Sequence, residues 1–225
     1  MLPFRGLFTK VLGFALYNYL AFLTQKLLPF LQVYSIKEIT GFENIPTDNP
    51  VIIIGNHNGK LDGPFILGLI KKTAALMKIK YASLPMYSVL VKHLNFVSLD
   101  TSTADRLKKS VDEARDVLNR GYNLMIYPEG TRSKSGRLLH FKDFAFRVSK
   151  ETGYAVVPVV MYSKFGFMTK KASSFFPKQK NIFALRALNP IYLSRKDRAA
   201  DIAAKTRKLM MDELDKIEKE VTDGI

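Results

Sequence analysis

Apolar and polar positions divide the chain into an uncharged opening and an alternating remainder. Fifteen uncharged residues, Val11 to Gln25, lie between Lys10 and Lys26, and another ten lie between Lys26 and Lys37, with Pro29 among them. Beyond them, short continuous apolar runs alternate with stretches of helical period. Val51–Ile54 reads as a strand buried on both faces. Pro64 to Lys72 reads as a helix, with Asp62 as its cap and Pro64 in the first turn. Phe96–Leu99 is a short strand. From Ala104 to Arg120, the residues Leu107, Val111, Ala114 and Leu118 recur at helical spacing with charges opposite, and Gly121 ends the run. Asn123–Tyr127, Ala155–Met161 and Asn181–Leu188 read as strands, and Phe141–Thr152 as a helix. A final helix over Asp197–Val221 carries Ile202, Leu209, Leu214, Ile217 and Val221 on its apolar stripe. This alternation predicts an α/β layered domain over residues 43–225, a largely parallel central sheet flanked by helices.

Residues 1–42 form the other expected unit, an N-terminal apolar two-helix appendage. A spanning helix needs ~20 apolar residues, and neither uncharged stretch reaches that length. Ala21-Phe22-Leu23-Thr24 lacks a small-residue cleavage pattern and Lys10 breaks the early run, so a signal peptide fits poorly. The expectation is a pair of helices lying in one leaflet, with Arg5, Lys10, Lys26 and Lys37 reaching toward head groups. The chain is then peripheral or monotopic at the cell membrane, on its cytoplasmic face. The alternative is that these helices only cover the globular core.

Composition narrows the partners. A chain of 225 residues with 47% hydrophobic and 24% charged residues can bury one substantial core. Cysteine is absent, which excludes disulfides, thiolate nucleophiles and cysteine-bound zinc. The net charge of +15 attracts polyanions: nucleic acid, anionic lipid head groups or phosphorylated ligands. The aromatic residues are concentrated in apolar stretches and no nucleic-acid-binding motif is present, so lipid or phosphorylated ligand is expected and nucleic acid is not. From Lys164 to Lys196 there are eight basic residues and no acidic one, with Phe165, Phe167, Met168, Phe175 and Phe176 among the first of them. This stretch reads either as a surface inserting into an anionic interface or as a solvated loop with aromatics packed on the core.

Two segments carry candidate chemistry. Asn56-His57-Asn58-Gly59-Lys60-Leu61-Asp62 follows the first buried strand. On one helix, five residues advance ~500°, which leaves His57 and Asp62 ~140° apart on different faces. They meet only if the chain turns between them, and Asn58-Gly59 offers the turn. Asp62 then orients the imidazole and leaves the other ring nitrogen as an acceptor, the base–orienter half of a triad without its nucleophile. No Gly-x-Ser-x-Gly elbow or cysteine supplies one, so the pair suits direct attack by a substrate hydroxyl on an activated acyl group. The second segment, Tyr127-Pro128-Glu129-Gly130-Thr131-Arg132-Ser133, also leaves a strand. Gly130 permits close backbone approach, and Thr131 and Arg132 offer a hydroxyl and a rigid fork for phosphate. Glu129 is placed to hold Arg132 or to bind a hydroxyl. Each segment alone has an ordinary structural reading, a capped helix and a salt-bridged turn.

Together, Asn56-His57-x4-Asp62 and Pro128-Glu129-Gly130-Thr131-Arg132-Ser133 resemble the catalytic and phosphate-recognising blocks of the glycerolipid acyltransferase family, which includes the lysophosphatidic acid acyltransferases. Val157-Pro158-Val159 matches a weaker strand motif, and the resemblance spans roughly residues 45 to 195. It implies His57 as general base with Asp62 orienting it, and Glu129, Gly130, Thr131, Arg132 and Lys60 binding substrate. It also implies a coenzyme A or acyl-carrier-protein thioester as donor, 1-acyl-glycerol 3-phosphate as acceptor, phosphatidic acid as product, and no metal or redox cofactor. The sequence departs from the family at Gly59, where serine is common, at Thr101, where an arginine commonly binds phosphate, and at Phe144, where glycine is common. Lys60, Arg106 or Lys142 are candidates for the missing charge. Thr101 favours a rival acceptor such as a lyso-aminolipid, and Arg132 favours phosphate. A non-catalytic lipid-binding protein would call for a damaged His–Asp block, and both residues are present.

Overall fold

Ile52, Ile53 and Ile54 are fully buried, which places their strand at the centre of the sheet with layers on both faces. The computed structural model describes residues 2–82, 84, 85, 88, 94–165 and 181–223. Phe167, Met168, Phe175 and Phe176, and the side chain of Arg5, lie outside the described residues. The strands are β1 (Tyr34–Thr40), β2 (Ile52–Gly55), β3 (Thr73–Lys78), β4 (Val97–Leu99), β5 (Asn123–Ile126), β6 (Val156–Ser163) and β7 (Asn181–Ala187). They form one seven-stranded sheet in the order β1-β7-β6-β2-β5-β3-β4. Every neighbouring pair is parallel except β6 with β7. The expected α/β sheet, largely parallel, is what the chain forms.

The helices are α1 (Leu2–Phe22), α2 (Leu28–Phe30), α3 (Asp62–Leu69), α4 (Ile79–Ala82), α5 (Ala104–Asn119), α6 (Phe144–Thr152) and α7 (Ala199–Asp223). One layer packs α1 on α3, and the other packs α5, α6 and α7 against one another and the sheet. Thr103 caps α5 by accepting the Arg106 N–H, and Gly153, in the left-handed conformation, ends α6.

The N-terminal region differs from the expected pair of helices. A π turn over Leu23–Leu27 joins α1 to α2, so residues 2–30 form one helical run. Pro29 falls at the start of α2, where its missing N–H is tolerated, and the wider π turn lies directly before it. The second uncharged stretch then leaves the helix and becomes β1, an edge strand paired with β7. Residues 34–40, expected in the appendage, are therefore part of the sheet. The bulge between Ile36 and Glu38 breaks the period-two pattern that would have marked this strand. β3 also lacks a sequence signal, because Thr73-Ala-Ala-Leu-Met-Lys78 has little β propensity and is held between β5 and β4.

α1 packs closely on the domain. A Cβ at Gly68 of α3 would lie 2.8 Å from the Ala21 backbone nitrogen, so only glycine permits this approach. The Tyr17 hydroxyl donates to the Thr73 carbonyl at 3.0 Å, and burial pushes its pKa up to about 12. The opposite side of α1 exposes Leu7, Phe8, Val11, Phe14, Tyr19 and Phe22. At the far edge of the sheet, Arg186 of β7 pairs with Glu38 of β1 at 2.5 Å and with Glu213 and Glu220 of α7 at 2.5 and 2.8 Å.

Candidate active site

β2 and β5 are neighbours whose connections run in opposite directions along the sheet, β2 to β3 and β5 to β6. Their outgoing loops therefore part into the two helical layers, and the carboxyl ends of these strands frame a crevice. Both motif segments occupy these loops.

The β2 loop begins with an anchor. Asn56 is fully buried, and its side chain donates to the Met161 carbonyl and accepts the Met161 N–H, both at 2.8 Å. It continues the ladder with β6 one residue past the end of β2. This fixes where His57 leaves the sheet. His57 Nδ1 then lies 2.9 Å from Asp62 Oδ2. The same oxygen accepts the backbone N–H groups of Asn58 and Gly59 at 2.7 and 2.8 Å. The expected turn between His57 and Asp62 is thus closed by Asp62 itself. Asp62 does not cap the helix, as expected from sequence: it is the first residue of α3, and its carboxylate folds back over the preceding loop. With Asp62 ionised, Nδ1 carries the proton and Nε2 is the acceptor.

Tyr127, at the end of β5, stacks its ring on the imidazole with centroids 4.0 Å apart and planes 13° from parallel. Its hydroxyl is buried with no hydrogen-bond partner among the described residues. Burial, and secondarily the nearby Asp62 charge, push its pKa well above the ordinary phenol value. The imidazole is therefore held in its plane by Tyr127 and in its rotation by Asp62.

The second loop locks onto the first. Glu129 is buried, and its Oε1 accepts the His57 N–H at 2.7 Å while Oε2 accepts the Leu139 N–H at 2.9 Å. Burial raises the Glu129 pKa, and the two backbone donors oppose that rise. Glu129 forms no ion pair with Arg132 among the described residues, so the expected hold on Arg132 is not its contact; it clamps backbone. Ser133 N–H donates to the His57 carbonyl at 2.8 Å, so both backbone groups of His57 are tied to the β5 loop. Gly130 adopts φ +65°, as the tight turn closed by its N–H to the Tyr127 carbonyl demands. A Cβ there would lie 3.5 Å from Lys142 Cε, so the Lys142 stem covers Gly130. Thr131 is exposed on the same turn. Arg132 keeps its Nη1 buried and without a partner among the described residues, a donor left for a ligand.

The candidates for extra charge separate. Arg106 is bound to Asp100 at 2.9 Å, and Ser102 and Arg106 hold the Asp100 carboxyl below its usual value. Lys60 is exposed on the β2 loop, and Lys142 stands over Gly130. Thr101 is exposed just past the carboxyl end of β4. A cleft of about 980 Å³ opens beside the site, between Asn58, Gly59 and Asp62, the 133–138 segment, and Arg207, Met211 and Leu214 of α7. Asn56 and Tyr127, quoted in the motif segments without a role, and Arg207 make contacts at the site that sequence reasoning did not foresee. The first two open the motif segments, and nothing in the sequence marks the third.

A model of the acyltransferase family matches residues 37–162, more than half of the chain. Among curated proteins, the chain is 34% identical over 143 residues to the 1-acyl-sn-glycerol-3-phosphate acyltransferase LPAT1, chloroplastic, of Arabidopsis thaliana, covering 60% of this chain and 39% of that protein. It is 30% identical over 141 residues to the 1-acyl-sn-glycerol-3-phosphate acyltransferase of Borreliella burgdorferi, covering 59% of this chain and 53% of that one. The chain spans about half or less of the length of the curated relatives it matches. Among solved structures, it is similar to the 1-acyl-sn-glycerophosphate (LPA) acyltransferase PlsC from Thermotoga maritima. The TM-score is 0.73 at 23% identity, over 93% of this chain and 81% of that one, which shows a shared fold.

Proposed function

The chain belongs to the acyltransferase family, and from that premise we propose that it is a membrane-associated O-acyltransferase acting on 1-acyl-sn-glycerol 3-phosphate. A fatty acyl group passes from an acyl thioester to the free glycerol hydroxyl, giving phosphatidic acid. The observation that carries this reading is His57, its Nδ1 fixed on Asp62 and its carbonyl tied to the loop that carries Arg132, whose buried Nη1 has no partner among the described residues. His57 Nε2 takes the hydroxyl proton as the oxygen attacks the thioester carbonyl. The tetrahedral adduct collapses, the C–S bond breaks, and the imidazolium returns the proton to the leaving thiolate. Asp62 stabilises the imidazolium, and Arg132 binds the acceptor phosphate with Lys142 and Lys60 adding positive charge nearby. The donor is already activated, so the step calls for no metal or redox cofactor. Coenzyme A and acyl carrier protein both supply such a thioester.

One helix among the described residues, Lys10–Phe30, is long and apolar enough to cross a membrane by length and composition. Its inner side is packed on α3, and its outer side exposes large apolar residues. That division supports a helix lying in one leaflet.

The test supplies labelled acyl-CoA or acyl carrier protein and a panel of lysolipids to the full chain in vesicles. Transfer to 1-acyl-glycerol 3-phosphate is expected, lost in His57→Ala, and weakened in Arg132→Leu chiefly through a higher KM for that acceptor. Undiminished transfer by His57→Ala would sink the mechanism. Preference for a lyso-aminolipid would replace the acceptor, the reading that Thr101 favours.

A further inference from the structure

We propose that Arg207, on α7 and outside every motif, is a positioning residue for the general base, acting through the Leu138–Leu139 backbone and Glu129 on His57. The inference rests on the reading of His57 as the base. Arg207 Nη2 donates to the Leu138 carbonyl at 2.8 Å and Nε donates to the Leu139 carbonyl at 2.7 Å. A guanidinium presents these donors in a fixed fork, so one half-buried side chain sets the orientation of two consecutive peptide groups. Those peptides belong to the segment between β5 and α6, which has no ladder or helix to satisfy its carbonyls. The Leu139 N–H then donates to Glu129 Oε2, and Glu129 Oε1 accepts the His57 N–H. Four hydrogen bonds join α7 to the base by this route, two of them in parallel from Arg207, which itself lines the cleft.

The path also bears on charge. Glu129 is buried, and its ionised form is opposed by burial and by Asp62 while the Leu139 and His57 N–H groups and the His57 ring favour it. Withdrawing the Leu139 N–H would raise its pKa further, and a protonated Glu129 accepts the His57 N–H less strongly. Misplacement of a catalytic group by ~1 Å is worth about 100-fold in rate, so a modest shift at Leu139 is enough to be read in turnover.

The experiment compares wild type, Arg207→Ala and Arg207→Lys as full chains in vesicles, by kinetics across pH and by hydrogen exchange. In Arg207→Ala, kcat is expected to fall about 10-fold or more while KM for both substrates moves less than about 3-fold. The acid limb of kcat shifts to higher pH, and the His57 and Leu139 amides exchange faster. Arg207→Lys restores part of kcat, because one donor replaces two. In a Glu129→Gln background, Arg207→Ala adds little further loss. Unchanged kcat and exchange would overturn the proposal. So would a loss that tracks Tm alone with the acid limb in place, or a fully additive double variant. If Arg207→Ala does not fold, Arg207→Met keeps the apolar stem and undergoes the same comparisons. If wild type transfers no acyl group, the reading of the enzyme fails, and amide exchange at His57 still decides whether Arg207 holds that loop.

Discussion

Asp62 Oδ2 accepts three hydrogen bonds, from the imidazole and from two backbone N–H groups, and this concentration on one atom makes its role separable from its shape. Asn at this position can place its amide oxygen where Oδ2 stands, so Asp62→Asn is expected to keep the loop and Tm within a few degrees. It loses the charge that stabilises the imidazolium, and kcat should fall by about 10³–10⁴. Steady-state kinetics beside a thermal melt checks both halves. Tyr127 separates in the opposite sense. Its ring stacks on His57, whereas its buried hydroxyl has no partner among the described residues. Tyr127→Phe keeps the stack and removes the orphan, so stability should rise by about 1 kcal/mol with activity retained. Tyr127→Ala should lose activity. Denaturant midpoints and kcat for the two variants decide it. At this scale the meeting of His57 and Asp62 across a turn was legible in the sequence, because it depends on residue type and spacing. The hold of Glu129 on Arg132 expected from the sequence was incorrect, since its partners are backbone groups that carry no side-chain signature.

At the scale of elements, the interface between α1 and α3 has the least room for change. Gly68 lets the Ala21 backbone approach to a distance that any Cβ would block. Gly68→Val should destabilise the chain by about 1–3 kcal/mol through overpacking and loosen the N-terminal helix from the domain. Limited proteolysis between residues 1 and 33, compared with wild type in detergent, would show that loosening; identical cleavage would speak against it. The buried strands β2, β5 and β6 and the amphipathic α5 and α7 were plain from apolar runs and helical period. β1 and β3 were not. One carries a bulge that hides its alternation, and the other is alanine-rich and takes its conformation from the strands on either side. The helical run over residues 2–30 was divided in the sequence at Lys26, between two uncharged stretches, and the π turn over Leu23–Leu27 carries the helix through that point and on to Pro29.

For the whole molecule, Arg186 ties the antiparallel edge of the sheet to α7 through Glu38, Glu213 and Glu220. Burial would raise the Glu213 pKa, but Arg186 and Lys216 hold it below its ordinary 4.5. A depressed carboxylate stabilises the fold above its unfolded pKa and loses that contribution as pH falls through its folded value. Arg186→Met should therefore cost about 2–3 kcal/mol at neutral pH, with the gap to wild type narrowing below about pH 4.5. Denaturant titrations at pH 7 and pH 3.5 test this, and a gap of constant size would refute it. The close seat of α1 on α3 has a consequence on a larger scale. α3 begins at Asp62 and meets α1 at Gly68, so a single rigid helix links the exposed apolar face to the carboxylate that holds the His57 imidazole. On the proposed reading, that face in lipid would fix the height of the crevice above the bilayer, making the protein an outrigger and not a tethered float. Under that proposal the acceptor would arrive by lateral diffusion within one leaflet. Its surface mole fraction, and not its bulk concentration, would then be the variable to which turnover responds.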